Sequence, residues 1–256
     1  MTEPRRTGEH MITTARGLLN VGLYTPSEAA FYARVSTQLI QRWLWGSRRG
    51  EAVVMPQLGD GERIVSFLDL VQTLAIRAIR TTYEIPLSKI REAVNEARRR
   101  YDLTYPFAVR HRTFVFGDLL HAPHKANVLI RPEGIDEDLV QVSGREKGNK
   151  VFAVVAELHM RDLYFGDDQL ANAYVAWKRG GREIRFDPRR QFGDPMVGST
   201  GYSVQALWHA YVTEGGVQAA AEAYGVEPED VEIAIDYFDH LRGPSLLRGT
   251  TSEVPV

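Results

Sequence analysis

The sequence predicts an α+β fold that is mostly helical, with an N-terminal winged helix-turn-helix, a small β-containing middle segment and a C-terminal helical domain with a short β element. Apolar residues recur at helical spacing in the first hundred residues and in the last fifty, and β-branched and aromatic runs lie between them. Breaks rich in glycine and proline separate these segments. We expect the winged helix-turn-helix at 18–105, a connecting α/β segment at 106–182, the helical domain at 183–243 and a flexible tail at 244–256.

The composition is that of a folded protein. The 256 residues are 44% hydrophobic and 10% aromatic, which suffices for packed cores. The chain contains no apolar run of about eighteen residues and no cysteine. Its N-terminal segment is polar and lacks the apolar stretch of a signal peptide. We expect a cytoplasmic location, no membrane association, no disulfide and no thiolate metal site.

Charge is distributed unevenly along the chain. Residues 1–125 carry 18 Lys+Arg and 12 Asp+Glu, a net +6, whereas residues 126–256 carry 13 and 21, a net −8. A polyanion attracts the first half and repels the second. Any surface that binds nucleic acid should therefore lie in the N-terminal half, and a basic protein partner would suit the other half.

The segment Leu23–Gly46 predicts two short helices joined by a tight turn. Thr25 can cap a helix that has Pro26 at its first position and Glu28 where it can reach back to the cap. A small-residue face follows at Ala29, Ala30 and Ala33, which lets a neighbouring helix approach closely. The break at Arg34-Val35 then separates this helix from the next.

The second helix should begin after a cap at Ser36 and present two different faces. Leu39, Ile40 and Trp43 share the inward face at helical spacing. The outward face carries Thr37, Gln38, Gln41 and Arg42. This pattern is typical of a helix-turn-helix that enters a DNA major groove, although an ordinary helical hairpin with a solvated polar face would look similar.

A cationic loop with a possible wing follows this helix. Gly46–Gly50 includes Arg48 and Arg49, which are well placed to meet phosphates. Ala52–Val65 has a strand-turn-strand pattern around the turn signal Gly59-Asp60-Gly61.

Further elements follow from caps, periodicity and breaks. Ser66 should start a helix with Asp69 in its first turn, and Pro86-Leu87-Ser88 should start the next. The remaining predictions are strands at 113–116, 125–130, 171–177 and 183–186, and helices at 151–163, 203–214, 217–224 and 228–241. The last two helices resemble a second helix-turn-helix, but the final helix is too acidic to lie on phosphates.

Motifs for catalysis, cofactor binding or metal binding are weak. Gly198-Ser199-Thr200-Gly201 lacks the lysine and spacing of a phosphate-binding loop, so a turn is favoured. His121 and His124 flank a proline and have no acidic cluster beside them, which favours a surface loop over a metal site. We expect no catalytic residue, no metal ligand and no cofactor.

Several segments together resemble a known family. LYTPSEAAFYARVSTQLIQRWLWG, VSFLDLVQTLAIRAI and IPLSKIREAV are similar to the MerR-like winged helix at the front of a subset of VapB-type antitoxins. FDPRRQFGDPMVGSTGYSVQAL and GGVQAAAEAYGVEPEDVEIAIDYF resemble the domain of unknown function family four-three-three. The second match uses Asp187-Pro188-Arg189, Gly193-Asp194-Pro195 and Gly198-Ser199-Thr200, and residues 173–177 also fit the segment between the two domains.

The resemblance implies an antitoxin that represses its own operon through the N-terminal half and binds a PIN-type ribonuclease toxin through the C-terminal half. The chain departs from the family at two points. Arg34 stands where relatives usually carry glycine, and Gly201-Tyr202 replaces a more usual Arg-Ile. The first departure bears on the turn geometry and the second on any contact made by that arginine.

We therefore expect a homodimeric DNA-binding regulator acting on an inverted repeat. Its expected DNA-binding residues are Ser36, Thr37, Gln38, Gln41, Arg42, Arg48 and Arg49. The expected toxin-binding residues are Leu246, Leu247 and Arg248. The alternatives are a protein-interaction module that inhibits a ribonuclease without binding DNA, and a MerR-like regulator that responds to a small ligand.

Overall fold

A computed structural model describes residues 21–48, 50–59, 61, 63–116, 127–132, 151–152, 162–198 and 200–243. The described residues form a mixed α+β fold. Their helices are α1 Pro26–Ala33, α2 Thr37–Trp45, α3 Phe67–Thr82, α4 Leu87–Tyr101, α5 Val204–Glu214, α6 Val217–Tyr224 and α7 Pro228–Arg242. Their strands are β1 Leu23–Tyr24, β2 Val65–Ser66, β3 His111–Phe116, β4 Asn127–Pro132, β5 Val151–Phe152, β6 Leu163–Phe165, β7 Ala171–Arg179, β8 Arg182–Phe186 and β9 Met196–Val197.

Two small sheets hold most of the strands. The first has the order β4-β3-β5, and β3 runs antiparallel to both neighbours, with Val115 opposite Val128 and Phe152. The second has the order β6-β7-β8-β9, and Ile184 of β8 is opposite Val197 of β9. The strands expected at 113–116, 125–130, 171–177 and 183–186 are thus confirmed within a few residues.

The chain divides into two compact units. One combines residues up to Tyr24 with Val175–Asp239, and the other combines Thr25–Tyr174 with the residues from His240 onward. The first contains α5, α6 and most of α7, and the second contains α1 to α4. The functional domain bounds expected from the sequence remain a prediction.

The start of α1 is held as the sequence predicts. The backbone N–H of Glu28 donates to Oγ1 of Thr25 at 3.2 Å, and the backbone N–H of Thr25 donates to Oε2 of Glu28 at 2.7 Å. Such a reciprocal cap satisfies two N–H groups that a helix start otherwise leaves without partners. It fixes where α1 begins and therefore where the turn before α2 falls.

Helix α3 begins with a second capping box, which is buried. The carboxylate of Asp69 accepts hydrogen bonds from the Ser66 backbone N–H at 3.1 Å, the Ser66 hydroxyl at 2.9 Å and the Gln57 backbone N–H at 3.1 Å. Burial raises the pKa of Asp69 to about 6, against its ordinary value of 3.8, even though these hydrogen bonds act in the opposite direction. Asp69 therefore joins α3 to the loop that follows α2.

Replacing Asp69 with asparagine should change how stability depends on pH. Because the folded state binds a proton near pH 6 and the unfolded state only near pH 4, protonation stabilises the fold between these values. The wild-type free energy of unfolding should rise by about 1 kcal/mol relative to Asp69→Asn between pH 7 and pH 5. Urea titrations at both pH values measure this difference, and parallel pH profiles of the two proteins would contradict it.

Two predicted elements are wrong, and one cap differs from the prediction. The described residues between Ala52 and Ile64 form bends and turns, so the predicted strand-turn-strand is not formed there and strand structure begins only at Val65. The helix predicted at 151–163 is replaced at its two ends by β5 and β6, and its middle lies outside the described residues. Ser36 is the N-cap of α2, but its side chain makes no capping hydrogen bond.

The C-terminal helices match their predicted bounds closely. The sequence predicts helices at 203–214, 217–224 and 228–241, and the structure has α5, α6 and α7 within one residue of these limits. Gly215 and Gly225 are the left-handed residues that end α5 and α6.

Candidate nucleic-acid interface

Helix α2 has a buried face and a polar face. Ile40, Trp43 and Leu44 are 0–1% exposed, so they form the core side of the helix. Leu39, expected on that side, is only half-buried. Gln38 and Arg42 are exposed, and Thr37 and Gln41 are half-buried. The outward side of α2 therefore carries two amides, one guanidinium and one hydroxyl.

A three-residue turn joins α1 to α2. Arg34 has φ 51° and ψ 44°, the left-handed conformation that glycine adopts most easily. The Val35 backbone N–H donates to the carbonyl of Ala30 at 3.0 Å, which closes the end of α1. Arg34 thus adopts a backbone conformation that glycine favours, at the position where the sequence resemblance leads us to expect glycine. We call α1 and α2 with this turn the first helix pair.

The side chain of Arg34 is also engaged. Its Nη1 lies 3.0 Å from Nε2 and 3.4 Å from Nδ1 of His240. Burial, followed by the positive charges of Arg34 and Arg77, lowers the pKa of His240 below its ordinary value. Nη1 of Arg77 donates to the carbonyl of Ala33 at 3.1 Å, so a second arginine caps the end of α1.

A tight basic turn directly follows α2. The backbone N–H of Ser47 donates to the carbonyl of Gly50 at 2.8 Å, and the Gly50 N–H donates back to Ser47 at 3.2 Å. Arg48 lies within this turn and is exposed. Arg49, the other arginine expected to contact phosphate, lies outside the described residues.

Contacts beyond the turn hold it against the rest of its unit. Nε of Arg91 donates to the carbonyl of Ala52 at 3.1 Å, and its Nη2 donates to the carbonyl of Glu51 at 2.8 Å. The indole Nε1 of Trp45 donates to the carbonyl of Gly59 at 3.4 Å. Trp45 therefore contacts the irregular loop at the position where the sequence predicts a wing.

Two further basic residues of this region, Arg80 and Arg91, were not among the residues expected from the sequence. Burial lowers the pKa of Arg80 below its ordinary value, and the positive charge of Arg42 lowers it further, which indicates that these two guanidinium groups lie near each other. Arg80 also donates to the carbonyl of Ile85 at 2.7 Å. Arg77 and Arg80 are three residues apart on α3, and this spacing indicates that they lie on the same face of the helix. Their proximity to α1 and α2 depends on tertiary packing.

The chain contains a second helix pair with the same local geometry, formed by α6 and α7. Gly225, at φ 63°, occupies the position of Arg34, and the Val226 N–H donates to the carbonyl of Ala221 at 3.1 Å as Val35 does to Ala30. Equivalent core positions are also buried in both pairs. These are Ala29 and Ala220, Ala30 and Ala221, Ile40 and Val231, and Trp43 and Ala234.

The outward positions of the second helix pair differ in charge. Glu229 and Glu232 stand where α2 has Gln38 and Gln41, and the buried Ile233 stands where α2 has Arg42. Arginines of the β7-β8 hairpin neutralise part of this acidic face. Nε of Arg182 donates to Asp230 at 2.7 Å, and Arg179 bridges Glu232 at 3.5 Å and also contacts Asp236. The acidic residues thus fold against the protein's own arginines, and this face would repel phosphates.

Comparison with known proteins gives similarity both in sequence and in structure. No protein-family model matches the chain. A Mycobacterium tuberculosis protein named "Putative antitoxin VapB45" is 26% identical over 236 residues, which cover 85% of this chain and 94% of that protein. The crystal structure of Rv2018 from Mycobacterium tuberculosis matches with a TM-score of 0.57 at 22% identity, over 85% of this chain and 99% of that one.

The sequence match supports the resemblance to VapB-type antitoxins, and the structural match shows a similar fold.

Among the residues that the structure describes, no helix has both the length and the apolar composition of a membrane span. The expected toxin contacts Leu246, Leu247 and Arg248 lie outside the described residues, as do His121 and His124.

Proposed function

We propose that this chain is a DNA-binding transcriptional regulator of antitoxin type, which represses its own operon and neutralises a PIN-type ribonuclease toxin. The DNA-binding part depends on one observation. The outward face of α2 presents uncharged amides and a guanidinium, followed at once by a basic turn, whereas the equivalent face of the second helix pair is acidic.

The side chains of this face suit the reading of base pairs. An amide such as Gln38 or Gln41 can accept and donate in parallel to adenine, and the Arg42 guanidinium can donate twice to guanine. Both groups reach base edges when a helix lies in the major groove. We assign base recognition to these three residues.

A separate set of residues would fix the helix on the sugar-phosphate backbone. Ser36 and Thr37 lie at the N-terminal end of α2, where hydroxyl and backbone N–H groups commonly bind phosphate. Arg48, and Arg49 beside it, would supply positive charge from the turn. Such contacts set register and affinity without discriminating between sequences.

Single substitutions should separate these two roles. Arg42→Ala should lower discrimination at one base pair by about 1–3 kcal/mol, while Arg48→Ala should weaken binding to all sequences and reduce the salt slope by about one. Fluorescence anisotropy with the cognate duplex and its single-base variants, at several salt concentrations, measures both effects. Identical behaviour of the two variants would contradict the assignment.

We further propose that two copies bind an inverted repeat. One helix pair contacts few base pairs, and half-sites on one face of B-DNA are about 34 Å apart. Footprinting on the region upstream of the chain's own gene should therefore protect two half-sites in one concentration step. Protection of a single half-site at all concentrations would contradict a dimeric regulator.

The toxin-neutralising part is supported by the name of the sequence relative and by the acidic C-terminal half of this chain. Leu246, Leu247 and Arg248 are proposed to bind the toxin, with Arg248 pairing with carboxylates of its active site. Co-expression with the product of the adjacent reading frame should restore growth that this product alone arrests. Growth restoration by a protein that binds no DNA at low salt would favour an interaction module instead.

A further inference from the structure

The loop between β8 and β9 presents an unusual aromatic side chain to solvent. Phe192 is 72% exposed, and its backbone has φ 55° and ψ 19°. Gln191, which precedes it, also has a positive φ of 42°. A bulky residue in the left-handed region is strained, and an exposed phenyl ring gains nothing from burial. The exposure of the ring does not stabilise the isolated chain, so a contact outside the chain would account for it.

Hydrogen bonds hold this loop in one shape. The hydroxyl of Tyr24 donates to the carbonyl of Gly193 at 2.6 Å, and the Gly193 N–H donates to the carbonyl of Arg190 at 2.8 Å. Nε2 of Gln191 donates to the carbonyl of Gly201 at 3.0 Å. The ring of Phe192 is therefore presented from a backbone that is already fixed, so the loop loses little backbone entropy when it binds.

Two arginines precede Phe192, and the exposed Asp194 follows it. Arg190 is exposed, and Arg189 is half-exposed and pairs with Asp187 at 2.7 Å. Burial of Asp187 would raise its pKa, but the hydrogen bonds from Arg189 and the positive charges of Arg189 and Arg190 together outweigh this and leave the pKa below its ordinary value. The loop thus combines an exposed apolar ring with the exposed positive charge of Arg190, and we call Arg190–Phe192 the anchor loop.

The same unit carries a second exposed apolar patch, at the end of α5, which has a negative charge beside it. Tyr211 is 36% exposed and Val212 is 54% exposed, and the exposed Glu214 lies just beyond them. Among the described residues of this unit, the large exposed hydrophobic side chains are Phe192, Tyr211 and Val212. We call Tyr211–Glu214 the acceptor patch.

We infer that the anchor loop of one copy binds the acceptor patch of a second copy. Phe192 packs on Tyr211 and Val212, and Arg190 pairs with Glu214. A two-fold axis makes each contact twice, which closes the assembly as a dimer and leaves no patch open for further chains. This inference rests on the proposed function because it supplies the surface by which a regulator of an inverted repeat would dimerise.

Sedimentation velocity across a micromolar concentration series tests this interface. Phe192→Ala should raise the dimer dissociation constant at least about tenfold. The matched control is Met55→Ala, which removes another exposed apolar side chain, 55% exposed, in the other unit and should leave association unchanged. Phe192→Ala should also retain binding to a single DNA half-site, because α2 is untouched.

Charge-reversal variants test whether Arg190 and Glu214 pair with each other across the dimer. Arg190→Glu and Glu214→Arg should each weaken the dimer, and the double variant should associate within about threefold of the wild type. A wild type that remains monomeric, or a dimer unaffected by Phe192→Ala, would overturn the inference. Half-site binding by α2, measured separately, would still decide the proposed function.

Discussion

Replacing Gln38, Gln41 and Arg42 together with alanine should lower the affinity for the cognate operator at least about 100-fold. Each well-placed contact to a base edge contributes about 1–3 kcal/mol of discrimination, and the three residues lie on the outward side of one helix, with Gln38 and Arg42 exposed and Gln41 half-buried. None of the three belongs to the buried side of α2, where Ile40 and Trp43 pack. The variant should therefore keep the wild-type melting temperature.

A triple variant of the same composition provides the control. Gln205, Gln218 and Arg99 are exposed residues on α5, α6 and α4, so their replacement removes the same side chains from helices outside the proposed interface. Operator affinity should remain within about threefold of the wild type. Equal losses in the two triple variants would show that α2 has no special role.

Replacing Gly46 with alanine should destabilise the protein by about 2–4 kcal/mol and displace the basic turn. Gly46 has φ +74°, and a Cβ built there lies 3.0 Å from the backbone nitrogen of Ala52 and 3.0 Å from the carbonyl oxygen of Gly50. Both neighbours are backbone atoms of the loop fixed by Arg91, so they cannot move aside cheaply. Chemical denaturation measures the loss.

Gly59 is the matched control for this substitution. It has a similar φ of +73°, but a Cβ there meets no atom within 4 Å. Gly59→Ala should therefore cost only the left-handed strain, about 1 kcal/mol. A Gly46→Ala variant as stable as Gly59→Ala would contradict the close packing of the basic turn against the end of α2.

The helices at both ends of the chain could be predicted because their signals are local. A capping residue, a proline and a carboxylate three residues on define the start of α1 within one turn. Glycines at 215 and 225 end α5 and α6 because they adopt the left-handed conformation at the helix ends. Such signals need no knowledge of distant contacts.

The wing and the middle segment could not be predicted because tertiary contacts decide them. Val53 and Val54 are both buried, which a half-exposed strand with alternating faces does not allow. Their N–H groups donate to the carbonyl of Trp43, at 2.8 and 3.3 Å, instead of to a partner strand. Likewise, Val151 pairs with Phe116 of β3, a contact that periodicity around residue 151 does not reveal.

Only part of the candidate interface could be predicted, because helical spacing is a local signal and packing between helices is not. The outward positions of α2 follow from helical spacing, so Gln38 and Arg42 could be assigned and are exposed. Arg80 lies near Arg42, and Arg91 donates a hydrogen bond to the carbonyl of Glu51 beside the basic turn. Both arrangements depend on how α3 and α4 pack. Spacing within one helix cannot give these distances.

If the proposed function is right, the outward side chains of α2 distinguish one DNA sequence from another. Its most direct test is the ratio of wild-type affinities for the duplex upstream of its own gene and for a scrambled duplex of equal length and composition, at physiological salt. We expect a ratio of at least about 10³ for the wild type, which should fall towards one in the Gln38, Gln41 and Arg42 triple variant. Equal affinities of the wild type for the two duplexes would contradict it.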